Sequence, residues 1–163
     1  MSGRSQAMPS GAIRFLLLII LALGLSPVQI HAESCAEVAG KLNQKLTPRI
    51  DEAELENILD TLNATGNGSL PPQFITKRQA RGQGWKPGTD LWSYPELRGK
   101  SLGGDVFQNR ERKLPDGRRV WREADLDFKG GRRGPKRLVF SDDGLRHVTV
   151  DHYSTFREVP RCR

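Results

Sequence analysis

Two side chains in the C-terminal half of the sequence could share a proton-transfer reaction. Glu123, in the run Trp121-Arg122-Glu123-Ala124-Asp125, can act as a general base, and His152, in Val150-Asp151-His152-Tyr153, can act as a general acid near neutral pH. Arg122 flanks Glu123, and Arg133 and Arg137 follow at a distance from which they could neutralise both a carboxylate and a phosphate. Cleavage of a ribose phosphodiester without a metal needs that set: a base for the 2′-OH, an acid for the departing 5′-oxygen, and cations where charge accumulates. The same residues also have a bland reading. A carboxylate on a strand is ordinarily the solvated partner of an arginine, and a single histidine is ordinarily structural, so composition and spacing alone leave both open.

Other chemistries have less to stand on. Besides His152, residues 33–163 hold only His147, Cys35 and Cys162 as strong zinc ligands, with no metal-binding spacing among them, so no metal site is expected. The two cysteines stand at opposite ends of that stretch, and an even count in an exported chain favours a disulfide between them. Such a bridge would act as a staple.

Charge is unevenly distributed. The whole chain carries a formal +7, and leaving out Arg4 and Arg14 brings it to +5. Between Arg110 and Arg137 lie eleven Lys or Arg against five Asp or Glu, so the whole excess sits in one segment. A basic segment suits a phosphate backbone, because each neutralised phosphate releases condensed counterions. Many solvated surfaces are basic as well, so charge alone leaves a polyanionic partner undecided.

The elements that must position these groups fall into two halves. Ser34 with Glu37 forms a capping box, followed by Val38, Ala39, Leu42 and Leu46 at helical spacing up to Thr47-Pro48. Asp51 caps a second helix with Glu54 at its third position, Ile50 and Leu55 as a staple, and a stripe of Leu55, Ile58, Leu59 and Leu62. After a loop marked by Gly66, Gly68, Pro71 and Pro72, Thr76 with Gln79 opens a short third helix that ends by Gly82 or Gly84. Beyond Gly104 short β-branched and aromatic runs alternate with the turn signals Pro115-Asp116-Gly117, Gly130-Gly131 and Asp143-Gly144. In one run Val120, Ala124, Leu126 and Phe128 fall on a core side, and Trp121, Glu123, Asp125 and Asp127 on a wet side. In the next, Leu138 and Phe140 oppose Arg137, Val139 and Ser141. Helices followed by a strand meander predict an α+β domain.

At the N-terminus, Arg4 and Arg14 precede an unbroken apolar run from Phe15 to Leu25, then Ile30-His31-Ala32. This order reads as a secretory signal peptide over residues 1–32, because the apolar run is well short of the roughly 20 residues of a membrane span. A secreted protein with no membrane association after cleavage is expected. Asn63-Ala64-Thr65 and Asn67-Gly68-Ser69 are glycosylation sequons, relevant only in a host that glycosylates exported chains.

From about Leu70 to Phe156 the chain resembles the barnase-type microbial ribonucleases. The blocks are Phe74-Ile75-Thr76-Lys77, Gly84-Trp85, Lys100-Ser101-Leu102-Gly103-Gly104-Asp105-Val106-Phe107, Asn109-Arg110-Glu111, Lys113-Leu114-Pro115, Trp121-Arg122-Glu123-Ala124-Asp125, the Arg133 and Arg137 pair, and Asp151-His152-Tyr153 with Thr155-Phe156. The resemblance implies the microbial ribonuclease fold, N-terminal helices packed on a five-stranded antiparallel sheet, with residues 50–163 as the ribonuclease domain and 33–49 as a helical extension. It implies a monomeric endoribonuclease, free of cofactors, that cuts single-stranded RNA 3′ of guanosine through a 2′,3′-cyclic phosphate. Glu123 matches the family's general base and His152 its general acid, while Lys77, Arg133 and Arg137 match its phosphate-contacting cations. Gln108, Asn109, Arg110 and Glu111 match its base-recognition loop, with Glu111 reading the guanine edge. Phe107 and Tyr153 match aromatics near the nucleotide, and for Phe107 a core-filling role weighs equally. Asp105 and Arg110 match residues close to the site.

Departures from the family lie in residues 33–47, the Cys35 and Cys162 pair, a shorter and more basic stretch from Pro115 to Val120, and the loop bearing Gly130, Gly131, Arg132 and Pro135. Two alternatives differ in class or purpose: an RNA-binding module that cuts nothing, and a ribonuclease toxin restrained in its producer by a small acidic inhibitor of the barstar type.

Overall fold

The computed structural model describes residues 33–163; the signal peptide read over residues 1–32 lies outside the described residues. Helix α1 (Cys35–Asn43) starts at the Ser34 capping box, where the Glu37 amide donates to Ser34 Oγ at 3.2 Å and the Ser34 amide donates to Glu37 at 2.9 Å. It ends earlier than the apolar spacing suggests, and turns carry Leu46 into the core. Asn43 supplies the reason: buried, it donates to Ile50 O and Glu52 Oε1 and accepts from the Ile50 amide, tying the end of α1 to the start of α2 (Glu52–Ala64). These bonds pair the backbone groups of Ile50, which the buried turn would otherwise leave without partners.

The sheet follows chain order from β1 (Phe74–Ile75), then β2 (Ser101–Val106), β3 (Trp121–Asp125), β4 (Arg137–Ser141), β5 (Arg146–Thr149) and β6 (Arg157–Glu158). Strands β2 to β6 are the expected five-stranded antiparallel meander. A sixth, two-residue strand was not expected: β1 pairs in parallel with the start of β2, which itself begins before Gly104. Two residues are too few to show an alternation, and Gly103 disguised β2. A side chain at Gly103 would lie 2.6 Å from Phe74 and 2.8 Å from Leu70, so only glycine lets β1 close on β2. Between β1 and β2 run α3 (Lys77–Gly82), which starts at the predicted Thr76 and Gln79 box, and two single turns of 3-10 helix at Leu91–Ser93 and Pro95–Leu97.

One face of the sheet, carrying Leu138, Phe140 and Val148, packs on the stripes of α1 and α2, including Val38, Leu55, Ile58 and Leu59. The other face differs from the sequence reading. Trp121, Glu123, Asp125 and Val139 are all buried rather than wet, because Leu114, Phe107, Tyr153 and Phe156 from two loops fold over it. Val120, expected in the core, is 40% exposed because the strand begins one residue later. A Cys35–Cys162 disulfide joins the two ends of the described chain across 127 residues.

Both sequon asparagines are hydrogen-bonded, Asn67 in the interior and Asn63 at an exposed position. Asn67 is buried, donating to Ser141 O at 2.8 Å and accepting from Arg146, and Asn63 accepts from Arg146 while donating to Cys162 O.

Candidate active site

Glu123 points from the centre of β3 into the covered face. Opposite it, Gly104 forms a bulge at a φ of 92°, so Gly103 pairs with Ala124 while Asp105 pairs with Glu123. The bulge aims Asp105 at the first turn of α3, where its Oδ2 accepts from the Lys77 amide at 2.8 Å. That anchor sets the base of the Lys77 side chain, whose Nζ reaches Glu123 Oε1 at 2.7 Å.

The other carboxylate oxygen, Oε2, accepts from the Tyr153 hydroxyl at 2.5 Å. Burial pushes the Glu123 pKa up, but the hydrogen bonds from Lys77 and Tyr153, with the charges of Lys77 and Arg137, outweigh it and leave the group below its ordinary value. Glu123 is therefore a buried, ionised carboxylate at neutral pH, in the protonation state a general base requires. Burial, and next the bond to Glu123, push the Tyr153 phenol up, so it stays a donor.

Arg133 and Arg137 converge on one acid. Asp125 accepts from Arg133 Nε and a terminal nitrogen of that guanidinium at 2.6 Å each. Arg137 Nε lies 2.9 Å from the same carboxylate, an ion pair whose angle falls short of a hydrogen bond, which leaves that nitrogen without an aligned acceptor among the described residues. A terminal nitrogen of Arg137 donates to Gly134 O and Lys136 O, and its guanidinium carbon stands 6.0 Å from the Tyr153 ring centre. Both arginines are thereby fixed beside Tyr153 and Glu123 before any substrate arrives.

His152 and Tyr153 are successive non-glycine residues in the left-handed region, at φ of 54° and 69°. Each such residue costs about 1–2 kcal/mol, so the turn needs external support. Asp151 provides it by accepting from Thr149 Oγ1, the Thr155 amide and Thr155 Oγ1, and its carboxyl falls to about 2, chiefly through the Thr155 amide bond. The His152 amide donates to Pro135 O at 3.1 Å and the Tyr153 amide to Thr149 Oγ1 at 3.0 Å. The exposed His152 ring lies 4.9 Å from the Tyr153 ring, so Tyr153 bridges the candidate acid and the candidate base.

A pocket of about 260 Å³ opens beside Glu123, walled by Phe107, Gln108, Arg110, Glu111 and Tyr153. Phe107 both stacks on Tyr153, with centres 5.1 Å apart, and packs on the cluster around Trp121, so its lining and core-filling readings hold together. Asn109 uses its whole amide to brace the loop, donating to Leu114 O and accepting from the Leu114 amide. Glu111 is exposed and ion-paired to Lys113 at 2.6 Å, and Lys113 also donates to Tyr153 O.

The structure thus draws Lys77 and Tyr153 onto the Glu123 carboxylate, places Arg137 beside the Tyr153 ring, sets Arg133 on the same acid as Arg137, and hangs His152 beside Tyr153. Gln108, Asn109, Arg110, Glu111 and Phe107 form the neighbouring pocket wall. Asp125 and Asp151 carry more of this geometry than the sequence reading gave them. Their signal, carboxylates within a few residues of an Arg or of Thr and Ser, is too common to single out. Among the described residues no group of three or more His, Cys, Asp or Glu is placed to hold a metal ion.

A family profile described as ribonuclease matches residues 60–160. A ribonuclease of Bacillus intermedius is 38% identical over 157 residues, covering 88% of this chain and 92% of its own, and one of Bacillus pumilus is 34% identical over 151 residues with the same coverage. A ribonuclease of Heyndrickxia coagulans is 47% identical over 92 residues, 55% of this chain and 83% of its own. A crystal structure of ribonuclease Sa2 with guanosine-2′-cyclophosphate shares 40% identity at a TM-score of 0.33, over 37% of this chain and 66% of that one.

Proposed function

Since the chain belongs to the ribonuclease family, and is thus a ribonuclease, we propose that it cuts single-stranded RNA on the 3′ side of guanosine without a metal, through Glu123 as base and His152 as acid. The observation that carries this reading is the Glu123 carboxylate itself, buried yet ionised between Lys77 and Tyr153 on the wall of a nucleotide-sized pocket.

In the first step Glu123 takes the proton of the ribose 2′-OH as that oxygen attacks phosphorus, and His152 gives a proton to the 5′-oxygen as its bond to phosphorus breaks. In the second the roles reverse: His152 takes a proton from water, which attacks the 2′,3′-cyclic phosphate, and Glu123 returns a proton to the 2′-oxygen. Charge accumulating on the non-bridging oxygens is met by Lys77, Arg133 and Arg137, which supply the electrostatic stabilisation a metal would otherwise give. DNA lacks the attacking hydroxyl and binds without being cut. Glu111 and the backbone around Gln108, Asn109 and Arg110 read the guanine, with Phe107 and Tyr153 beside it.

The same reading takes residues 1–32 as an export leader, 33–49 as a stabilising extension of the catalytic domain at 50–163, and the secreted enzyme as a monomer. A producing cell would need protection, and a small acidic inhibitor of the barstar type would find its complement in this cationic cleft.

Incubation with the dinucleoside phosphates GpU, ApU, CpU and UpU in the presence of a strong chelator tests the proposal. GpU should disappear fastest, with guanosine 2′,3′-cyclic phosphate preceding the 3′-phosphate. Activity abolished by the chelator and restored by a divalent cation would overturn the mechanism, and equal rates on all four would remove the base preference. Binding without cleavage would favour the RNA-binding module.

A further inference from the structure

Arg146, on β5, is a buried cation without a carboxylate beside it. It is 8% exposed, and three of the five N–H donors of its guanidinium go to neutral amides: Nε and one terminal nitrogen to Asn67 Oδ1, the other terminal nitrogen to Asn63 Oδ1. These bonds tie the end of α2 to the sheet, and they satisfy donors without neutralising charge. One N–H on each terminal nitrogen has no acceptor among the described residues. A buried charge that lacks an opposite one costs free energy that amide oxygens return only in part.

The same guanidinium lines a depression of about 520 Å³ between the end of α2, the β4–β5 turn and the C-terminal tail, and no residue of that lining belongs to the base pocket. Arg161 of the tail faces it too. One of its terminal nitrogens stands 3.6 Å from where a side chain at Gly144 would begin, and it makes no hydrogen bond or ion pair among the described residues. Burial, and next the charge of Arg161, pull the Arg146 pKa below the ordinary arginine value, so the two cations repel each other. The acids on the rim are engaged elsewhere: Asp143 with Arg119 and Ser141, and Asp142 with the Val120 amide. Neither pairs with Arg146 or Arg161.

Two unneutralised guanidinium groups match one doubly charged anion. A phosphate monoester carries about −1.5 to −2 near pH 7 with three free acceptor oxygens, whereas a carboxylate or a phosphodiester brings a single charge. We propose that this depression is a phosphate-dianion site, separate from the catalytic cleft, with Arg146 as its floor and Arg161 closing on it from the tail. The bound dianion bridges the end of α2, the β4–β5 turn and the tail, and stabilises the folded chain by mass action. The site needs neither Glu123 nor His152, so it stands or falls independently of the reaction proposed above.

Titration calorimetry at constant ionic strength tests the site, with inorganic phosphate as the probe and the catalytic cleft filled by a deoxyguanosine dinucleotide that has no terminal phosphate. One phosphate should bind per chain. Arg161→Ala, an exposed change in the tail, should weaken that binding tenfold or more, and Arg146→Met should abolish it. Phosphate should raise the urea midpoint of the wild type and leave that of Arg161→Ala in place. Acetate and dimethyl phosphate, each singly charged, should bind at least tenfold more weakly than phosphate; equal affinity for either would overturn the match to a dianion. No saturable binding of phosphate, or binding that neither arginine variant weakens, would overturn the site itself. Uridine 5′-monophosphate separates the two sources of the same chemistry: tighter binding than inorganic phosphate assigns the site to the terminal phosphate of a nucleotide, and weaker binding assigns it to the free ion.

Discussion

The Tyr153 hydroxyl donates to Glu123 Oε2 at 2.5 Å, across a turn whose two central residues both sit in the left-handed region. This bond couples the loop bearing His152 to the strand bearing Glu123, and it helps to hold the carboxylate below its ordinary pKa.

Glu123→Gln should therefore lower kcat by about 10²- to 10⁴-fold while leaving the affinity for an uncleavable deoxy analogue within twofold. Tyr153→Phe should keep activity but move the acidic limb of the kcat/KM profile to higher pH, since one of the bonds that lowers the Glu123 pKa is lost. A profile that stays in place or moves to lower pH would show that Tyr153 does not tune the base.

Asp125 and Arg137 are 2% and 3% exposed, so removing the acid strands a charge in the interior. Asp125→Ala should cost about 3–5 kcal/mol in urea denaturation and reduce turnover by loosening both arginines. If Asp125→Ala is as stable as wild type, the pair has no structural weight.

His147 lies between Trp121 and Phe156 with a buried Nδ1 that has no hydrogen-bond partner among the described residues, and burial pushes its pKa below 6.5. The folded state thus prefers the neutral ring, and the unfolded chain binds more protons between the folded pKa and about 6.5. Stability should rise with pH through that window and its loss should begin as pH falls below about 6.5. In His147→Phe the urea midpoint should vary less between pH 5 and 7 than in wild type; an unchanged dependence would assign it to other groups.

Replacing Cys35 and Cys162 by alanine should lower stability, with about 4.7 kcal/mol for a loop of about 100 residues as the ceiling of the chain-entropy model. Cleavage at 25 °C should persist, because the bridge ties α1 to the C-terminus away from Glu123. Loss of activity in a variant that circular dichroism shows to be folded would give the bridge a functional part.

Helix starts were legible because a cap is a local event. Ser34, Asp51 and Thr76 each bond a backbone amide three residues on, and the side-chain types announce it. The covered face of the sheet was not legible. Whether Trp121 and Glu123 are wet depends on loops brought in from residues 107–114 and 150–156, and no alternation within β3 reports on that.

By itself the sequence determined the α+β class, the helix caps, the basic segment, and, through its blocks of resemblance, the five-stranded antiparallel sheet and the candidate acid and base. The first three are properties of residue type and near-neighbour spacing. Only the tertiary structure decided that Lys77 and Tyr153 grip opposite oxygens of Glu123, that Asp125 binds both Arg133 and Arg137, and that Asp151 folds the turn beneath His152. Lys77 and Tyr153 lie 46 and 30 residues from Glu123, and contacts over such separations are set by how the elements pack.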